Sequence, residues 1–401
     1  MTRAQEQNPL SEMHDYSTDD VYRESVQFLV EVFETMQKNY YRPVDPIEFK
    51  KFVYLFNTRL YPRMKQAGQS QAYIKWRSAA YLVDHLRQSN DIFSKFFPPR
   101  DAQKYETEVL GKRIDLGIEG RRSDEGWRVD RVEPRSDAWA RGLRAGDILV
   151  RIDDAPVIVL SDEEMKDRLM PPEGATVYLH YTEHATGLQK TIAVLSQEYF
   201  KQFAWMADTG VDGVFCIRIE RFNRMTGEDV TGLMETVLNY PGPTGLVIDL
   251  RGNPGGPPLA AREISAFFLE PKQEFAYFER RNRPKATLDV PAIPDQYHYK
   301  GEIVILVDQD SGSASELFSG VLQHRGRAVL MGENSAGQVF LKSMFYLSDE
   351  SMLVLVTARG HHPDGTVFSF QGLDPNLRAS GDQAGLVHAA AEYLSGRLVR
   401  P

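Results

Sequence analysis

The sequence predicts an α+β multidomain protein, with an N-terminal helical region over residues 1–104, a small β domain over 105–200 and an α/β core over 201–401. Three changes of pattern along the chain predict it. Apolar residues first recur at the three-and-four spacing of a helix face. Short β-type runs separated by turn residues then take over. From Gly213 onward, buried apolar runs alternate with helical segments, the pattern of an α/β layer structure.

Residues up to about Asp19 are polar and mixed in charge, and read as disordered or loosely attached. A helix is expected from Asp20, with Val21, Phe28, Leu29, Phe33 and Met36 on one face. It stops at Asn39-Tyr-Tyr-Arg-Pro43, because proline cannot continue it. Asp45-Pro46 starts a second helix carrying Phe49, Phe52, Val53, Leu55 and Phe56. Helical patterning resumes over 74–86 and ends near Pro98-Pro99. In the β domain, strands are expected at 127–132, 148–152, 176–181 and 191–195, with helices near 138–142 and 162–169. The core begins with a strand at 214–219, a helix at 227–238 and a buried strand at 245–250 that runs into a glycine-rich loop and a helix at 259–268. A polar, proline-containing connection, about 279–299, leads to a buried strand at 303–307. Strands at 345–347 and 352–357 and a helix at 382–394 close the chain.

Composition narrows the function classes. A chain of 401 residues with 42% hydrophobic content can bury more than one core. A formal charge of -9 leaves no basic excess to neutralise phosphates, so nucleic acid is not the main partner. Cys216 is the only cysteine, which excludes a disulfide framework or a cysteine-based metal site within one chain. No apolar run has the length of a membrane span, and the N-terminus does not read as a secretory signal. The chain is therefore expected in the cytoplasm if Met1 is the native start, or is written here without an export segment.

Chemistry concentrates at the strand over 303–307. It is followed by the turn cluster Asp308-Gln-Asp-Ser-Gly and by Ser313-Ala-Ser-Glu316, which opens an amphipathic helical segment. Small residues at a strand-to-helix turn let a hydroxyl stand clear of the backbone and aim free N–H groups beside it. Taken alone, the same residues read as a helix cap, Ser313, with Glu316 completing a capping box. The rest of the chain decides between the two readings.

The segment from Val132 to Asp153 holds a proline, a short helix, Gly142-Leu143, Gly146-Asp147 and a strand ending in Ile-Asp. It resembles the PDZ domain in its bacterial, circularly permuted form. The resemblance implies a strand–helix groove that takes up an extended peptide end as a further strand. Leu116-Gly117-Ile118 stands in the place of that family's carboxylate-binding loop. The plainer alternative is a small β domain with no peptide ligand.

Further motifs stand around this block, in order: Tyr40-Tyr-Arg-Pro-Val-Asp45, Ile248-Asp-Leu-Arg-Gly-Asn-Pro-Gly-Gly256, Ser311-Gly-Ser-Ala-Ser-Glu316, Gly332-Glu-Asn-Ser-Ala-Gly337, Thr357-Ala-Arg-Gly-His-His-Pro-Asp-Gly365 and Gly372-Leu-Asp-Pro375. From about Val21 to Asn376 the ordered set resembles the carboxy-terminal processing proteases, the PDZ-containing branch of the tail-specific serine peptidases. The resemblance implies a ClpP/crotonase-like α/β peptidase core and a Ser/Lys pair with Ser313 as nucleophile. It implies oxyanion donors on the backbone of Ala314 and of the Pro254-Gly255-Gly256 loop, and a link from Arg251 to the PDZ domain. Protein substrates with nonpolar C-termini, cleaved near those ends, would be the partners, with an adaptor and an oligomeric assembly left open. Family members are mostly exported, to the periplasm or the thylakoid lumen. No cofactor is implied, and no Asp, Glu or Cys spacing around His361-His362 supports a metal site.

The sequence departs from the family at one place. Aligning Gly332-Glu333 and Gly337 without gaps puts Gln338 where the catalytic lysine belongs and Lys342 where a supporting glutamine belongs. Residues four apart on a strand share a face, so Lys342 is expected as the base with Gln338 orienting it. Two alternatives stand beside this reading. Lys342 is a solvated surface residue and the chain a PDZ scaffold on a degenerate peptidase, or a histidine (His324, His361 or His362) supplies the base.

Overall fold

The computed structural model describes residues 13–89, 91–243 and 245–396. The chain folds into two compact units. The first gathers Met1–Tyr105, Lys272–Val290 and Gly337–Gly372, and the second gathers Glu106–Pro271, Pro291–Ala336 and Leu373–Pro401.

In the first unit, helices Asp20–Asn39, Pro46–Leu55 and Gln71–Leu86 start where the sequence supplies a cap. The side chains of Asp19, Asp45 and Ser70 each accept from a backbone N–H of the opening turn. Phe28, Leu29, Val32 and Met36 face inward and share one core with Phe52, Phe56, Leu82 and Val83. The same core takes Leu353, Leu355 and Val356 from strand Met352–His361. That strand pairs antiparallel with Lys95–Phe97, Glu274–Arg280 and Phe340–Tyr346, and Glu274–Arg280 pairs on with Ala286–Asp289.

Three expectations are corrected here. The segment just before Asp20 is held in place: the backbone of His14 exchanges hydrogen bonds with the Asn57 side chain, and the Tyr16 ring packs on Tyr22 and Tyr61. Residues 1–12, the remainder of that expectation, lie outside the described residues. The connection over 279–299 contains the end of one strand and the whole of Ala286–Asp289. Pro99 opens a helix, Pro99–Leu110, where Pro98-Pro99 was read as a stop. Proline loses nothing at a first helical position, because the N–H that it lacks has no partner there anyway.

In the second unit, a sheet of strands Ile118–Ser123, Gly126–Val132, Ile148–Ile152, Thr176–Thr182 and Gln189–Leu195, in that order, packs with helix Asp162–Leu169. The other sheet runs Ala204–Ala207, Val214–Ile219, Gly245–Asp249, Ile303–Val307, Val329–Gly332, Leu377–Arg378. It is parallel from the second strand onward. Every residue of Gly245–Asp249 and of Ile303–Val307 is buried, as parallel strands covered by helices on both faces require. Cys216 lies in this sheet with no exposure, and burial pushes its thiol up to about 12.

Polar side chains at the end of strand Gly126–Val132 reach segments that flank the other sheet. Arg131 donates to the Gln202 carbonyl (2.8 Å), and the Gln202 amide donates to Glu133 (3.0 Å). Arg135 reaches Asp229 on helix Thr226–Asn239 at 2.7 Å. Burial raises the carboxyl groups of Glu133 and Asp229 above the usual carboxylate range, against the pull of these partners.

Candidate active site

Strands Gly245–Asp249 and Ile303–Val307 are parallel neighbours, so the loops leaving their carboxyl ends meet. Crevices at such ends are where open α/β sheets hold ligands. Side chains knit the two loops together. The Gly252 amide donates to Asp308 (2.8 Å), and the Ser311 hydroxyl donates to the Leu250 carbonyl (2.9 Å). The Asn253 carbonyl accepts from the Gly312 amide and from the Ser315 hydroxyl, each at 2.9 Å. The Asn253 amide group reaches across to the Ile219 carbonyl at 2.8 Å. Three adjacent strands are thereby fixed around one point.

That point is Ser313. It immediately precedes helix Ala314–His324 and has φ 55° and ψ -112°, a conformation that L-residues other than glycine rarely adopt. Such backbone strain is on the order of 1–3 kcal/mol and persists only where the surroundings enforce it. Ser313 is half-buried and Glu316, one turn on, is buried at 1% exposure. The Glu316 carboxylate accepts from the Ser313 amide (2.9 Å) and from the Ser335 hydroxyl (2.6 Å). Ser335 in turn accepts from the Leu373 amide at 2.7 Å, and the Ala336 amide donates to the Ser311 carbonyl at 3.0 Å. The glycine-containing segment before residue 337 is thus pinned to the Ser313 turn from two sides.

The Pro254-Gly255-Gly256 loop lies against the serine. A Cβ on Gly255 would stand 2.6 Å from the Ser313 Cβ and 2.7 Å from the Ala314 nitrogen. On Gly256 it would stand 1.8 Å from the Phe222 carbonyl oxygen. Only glycine permits this approach. The Gly255 amide donates to the Asn253 side chain at 2.9 Å, whereas the amides of Ala314 and Gly256 have no hydrogen-bond partner among the described residues. Arg251, at the start of the loop, makes a two-pronged contact with the buried Asp249 at 2.9 and 2.8 Å. Arg218 joins the same carboxylate at 2.9 Å.

The second unit therefore brings Ser313, Ala314, Gly255 and Gly256 together, with Arg251 on the same loop. Gln338 and Lys342 belong to the first unit. The expectation that both lie on one regular strand is corrected. The strand is Phe340–Tyr346, and Gln338 precedes it in a tight turn whose carbonyl accepts from the Phe340 amide. The pairing register slips between Leu341 and Lys342, so the two-residue alternation does not run from 338 to 342. Lys342 is exposed, with its ammonium 5.2 Å from the Phe93 ring centre. His361 stacks on Tyr277 and lies 3.2 Å from Glu279, and His362 stacks on Phe368, so both are packed into the first unit. Leu116, Gly117 and Ile118 are buried in the small sheet domain. Sequence reading gave no role to Asn253 or Ser335, and only a capping role to Glu316. The signal available was their polarity inside otherwise apolar or glycine-rich motifs.

Comparison with known proteins shows what this chain is similar to. The description Peptidase family S41 matches residues 213–379, and PDZ domain matches residues 101–181. A carboxyl-terminal-processing protease of a Picosynechococcus species is 27% identical over 309 residues, covering 72% of this chain and 70% of that protein. The Synechocystis protein of the same name is 26% identical, covering 70% of this chain and 66% of its own length. Among solved structures, a photosystem II D1 C-terminal processing protease superposes with a TM-score of 0.51 at 19% identity, covering 92% of this chain and 97% of its own. A putative S41 protease from Bacteroides fragilis superposes with a TM-score of 0.53 at 16% identity, again covering 92% and 97%.

Proposed function

We propose that the chain is a PDZ-containing member of peptidase family S41, a serine endopeptidase cutting proteins near nonpolar C-termini. The observation that carries this is the strained Ser313 turn against the Gly255-Gly256 loop, with the Ala314 and Gly256 amides lacking a hydrogen-bond partner among the described residues. In this reading residues 1–104 support, 105–200 read the substrate and 201–401 cut it.

Ser313 Oγ attacks the scissile carbonyl carbon while Lys342 takes its proton, and Gln338 orients the lysine. The developing oxyanion accepts from the amides of Ala314 and Gly256. Gly255 supplies the close approach, since its own amide is held by Asn253. Collapse breaks the C–N bond, and the leaving amine recovers the proton from Lys342. Water, deprotonated by the same lysine, then releases the acyl group from Ser313. Lys342 is exposed in the resting chain, so a nonpolar segment laid over it supplies the desolvation that disfavours the ammonium form. Arg251, bonded to Asp249, is proposed to transmit PDZ occupancy to the cutting loop.

The test is degradation of an unfolded protein with a nonpolar C-terminus. Wild type is expected to cleave, Ser313→Ala to lose on the order of 10⁶-fold in kcat because no acyl-enzyme can form, Lys342→Ala to lose roughly 10²–10⁴-fold, and Gln338→Ala to be weakened. Wild type that binds the tail without cutting it would make the chain a PDZ scaffold instead.

A further inference from the structure

Strand Phe340–Tyr346 is an edge. Among the described residues it pairs with Met352–His361 alone, so its other side carries the outward-pointing N–H and C=O groups of alternate residues. Beyond the register slip at Leu341–Lys342 the two-residue alternation is regular. It puts Lys342, Met344 and Tyr346 on one face and Ser343 and Phe345 on the other. The second face is occupied: Ser343 shares a hydrogen bond with Thr357 (2.9 Å), and Phe345 packs against the helical core. On the first face Met344 is 40% exposed and Tyr346 54%. Val354 and Met352, directly opposite them on the partner strand, are buried with Ala102 of helix Pro99–Leu110.

An edge with exposed apolar side chains invites pairing, and proteins usually blunt it with lysine, proline or a bulge. Here the bulge and Lys342 stand only at the start of the strand, and Ser343-Met-Phe-Tyr346 carries no charge and no proline. Lys342 gives a reason to leave the edge open. A group that returns a proton to the leaving amine must come within about 2.6–3.2 Å of it, so the substrate backbone has to pass beside this strand. An extended chain laid along the edge makes ladder hydrogen bonds, and alternate side chains meet those directly opposite. We propose that the edge of Phe340–Tyr346 takes up the substrate as an added strand. Met344 and Tyr346 then read nonpolar side chains two and four residues along from the one opposite Lys342. The inference rests on the proposed role of Lys342 and deepens it. The substrate becomes an unfolded chain with nonpolar residues at alternate positions on one side of the cut, selected separately from capture of its tail by the PDZ groove.

The experiment uses the full chain and a fluorogenic peptide with one cleavage site and a fixed nonpolar C-terminus. Lysine is placed at one position at a time across the residues on each side of the cut, and kcat and KM are measured for wild type, Met344→Glu and Tyr346→Glu. Wild type is expected to lose about tenfold, through KM, when lysine stands at either of two positions spaced two residues apart. Met344→Glu is expected to restore the peptide with lysine nearer the cut and Tyr346→Glu the one with lysine farther away, each leaving the other unrepaired. A rise in KM for every peptide alike overturns the inference, since that reports a disturbed fold rather than a lost contact. Absence of rescue overturns it too, as does rescue by both variants at one position or at adjacent ones. A wild type that cuts every peptide equally well overturns it without any variant. A wild type that cuts none of them overturns the peptidase reading itself, and the strand-edge inference falls with it.

Discussion

At the scale of single residues, the unusual backbone of Ser313, the proposed nucleophile, depends on Glu316. Its two oxygens hold the Ser313 amide on one side and the Ser335 hydroxyl on the other. Glu316→Gln retains one acceptor and replaces the other with a donor, and should lower kcat roughly tenfold with KM little changed. Glu316→Ala removes both contacts and should cost about a hundredfold, the scale expected when a reacting group is displaced by about 1 Å. Steady-state kinetics on the model substrate separates the two parameters. The strand-to-helix turn at Ser313 was legible in the sequence because small residues there are a local pattern. The second half of Glu316's role was not, since Ser335 lies nineteen residues further on and only the fold brings it back. Local reasoning likewise gave Gln338 and Lys342 a shared face, because a register slip depends on the partner strand.

At the scale of elements, helix Asp20–Asn39 is anchored at its first turn by Asp19, which caps it and also pairs with Lys65. The hydrogen bond from Lys65, followed by that from Tyr61, lowers the Asp19 carboxyl to about 2. Its folded value thus lies below the ordinary value of about 3.9, so the pairing stabilises above that value and is lost as pH falls toward about 2. Thermal melting followed by circular dichroism should show Asp19→Asn reducing the loss of stability between about pH 5 and pH 2. At neutral pH, Asp19→Ala should cost about 1 kcal/mol more than Asp19→Asn, because asparagine still caps. The helices of this region were legible for the same reason that they are stable, since cap and periodicity lie in one stretch of chain. Strand Ala286–Asp289 was not legible. It is four residues long, and it is a strand only because Glu274–Arg280 lies beside it.

At the scale of the whole molecule, the first unit is assembled from three separate segments, and the chain passes between the units five times. Its helical region looks self-sufficient in the sequence, yet its core includes Leu347, Leu353, Leu355 and Val356 from more than two hundred residues further along the chain. A fragment comprising residues 1–105 should therefore fail to unfold cooperatively, while the full chain melts with a defined transition for the same helices. Calorimetry of the two decides it, and a sharp transition in the fragment would contradict the assembly described. The α/β core was legible as strand and helix alternation. The interleaving was not, because periodicity says which residues are buried and not against which distant segment.

Cys216 has a consequence outside catalysis. It is the only thiol in the chain, it has no exposure in its strand, and burial keeps it in the unreactive protonated form. The unaltered protein is thus a silent background for maleimide or spin labelling. One cysteine introduced on the PDZ surface and another on the core surface would be the reactive pair, and spectroscopic distances between them would follow the proposed substrate capture without first removing a native residue.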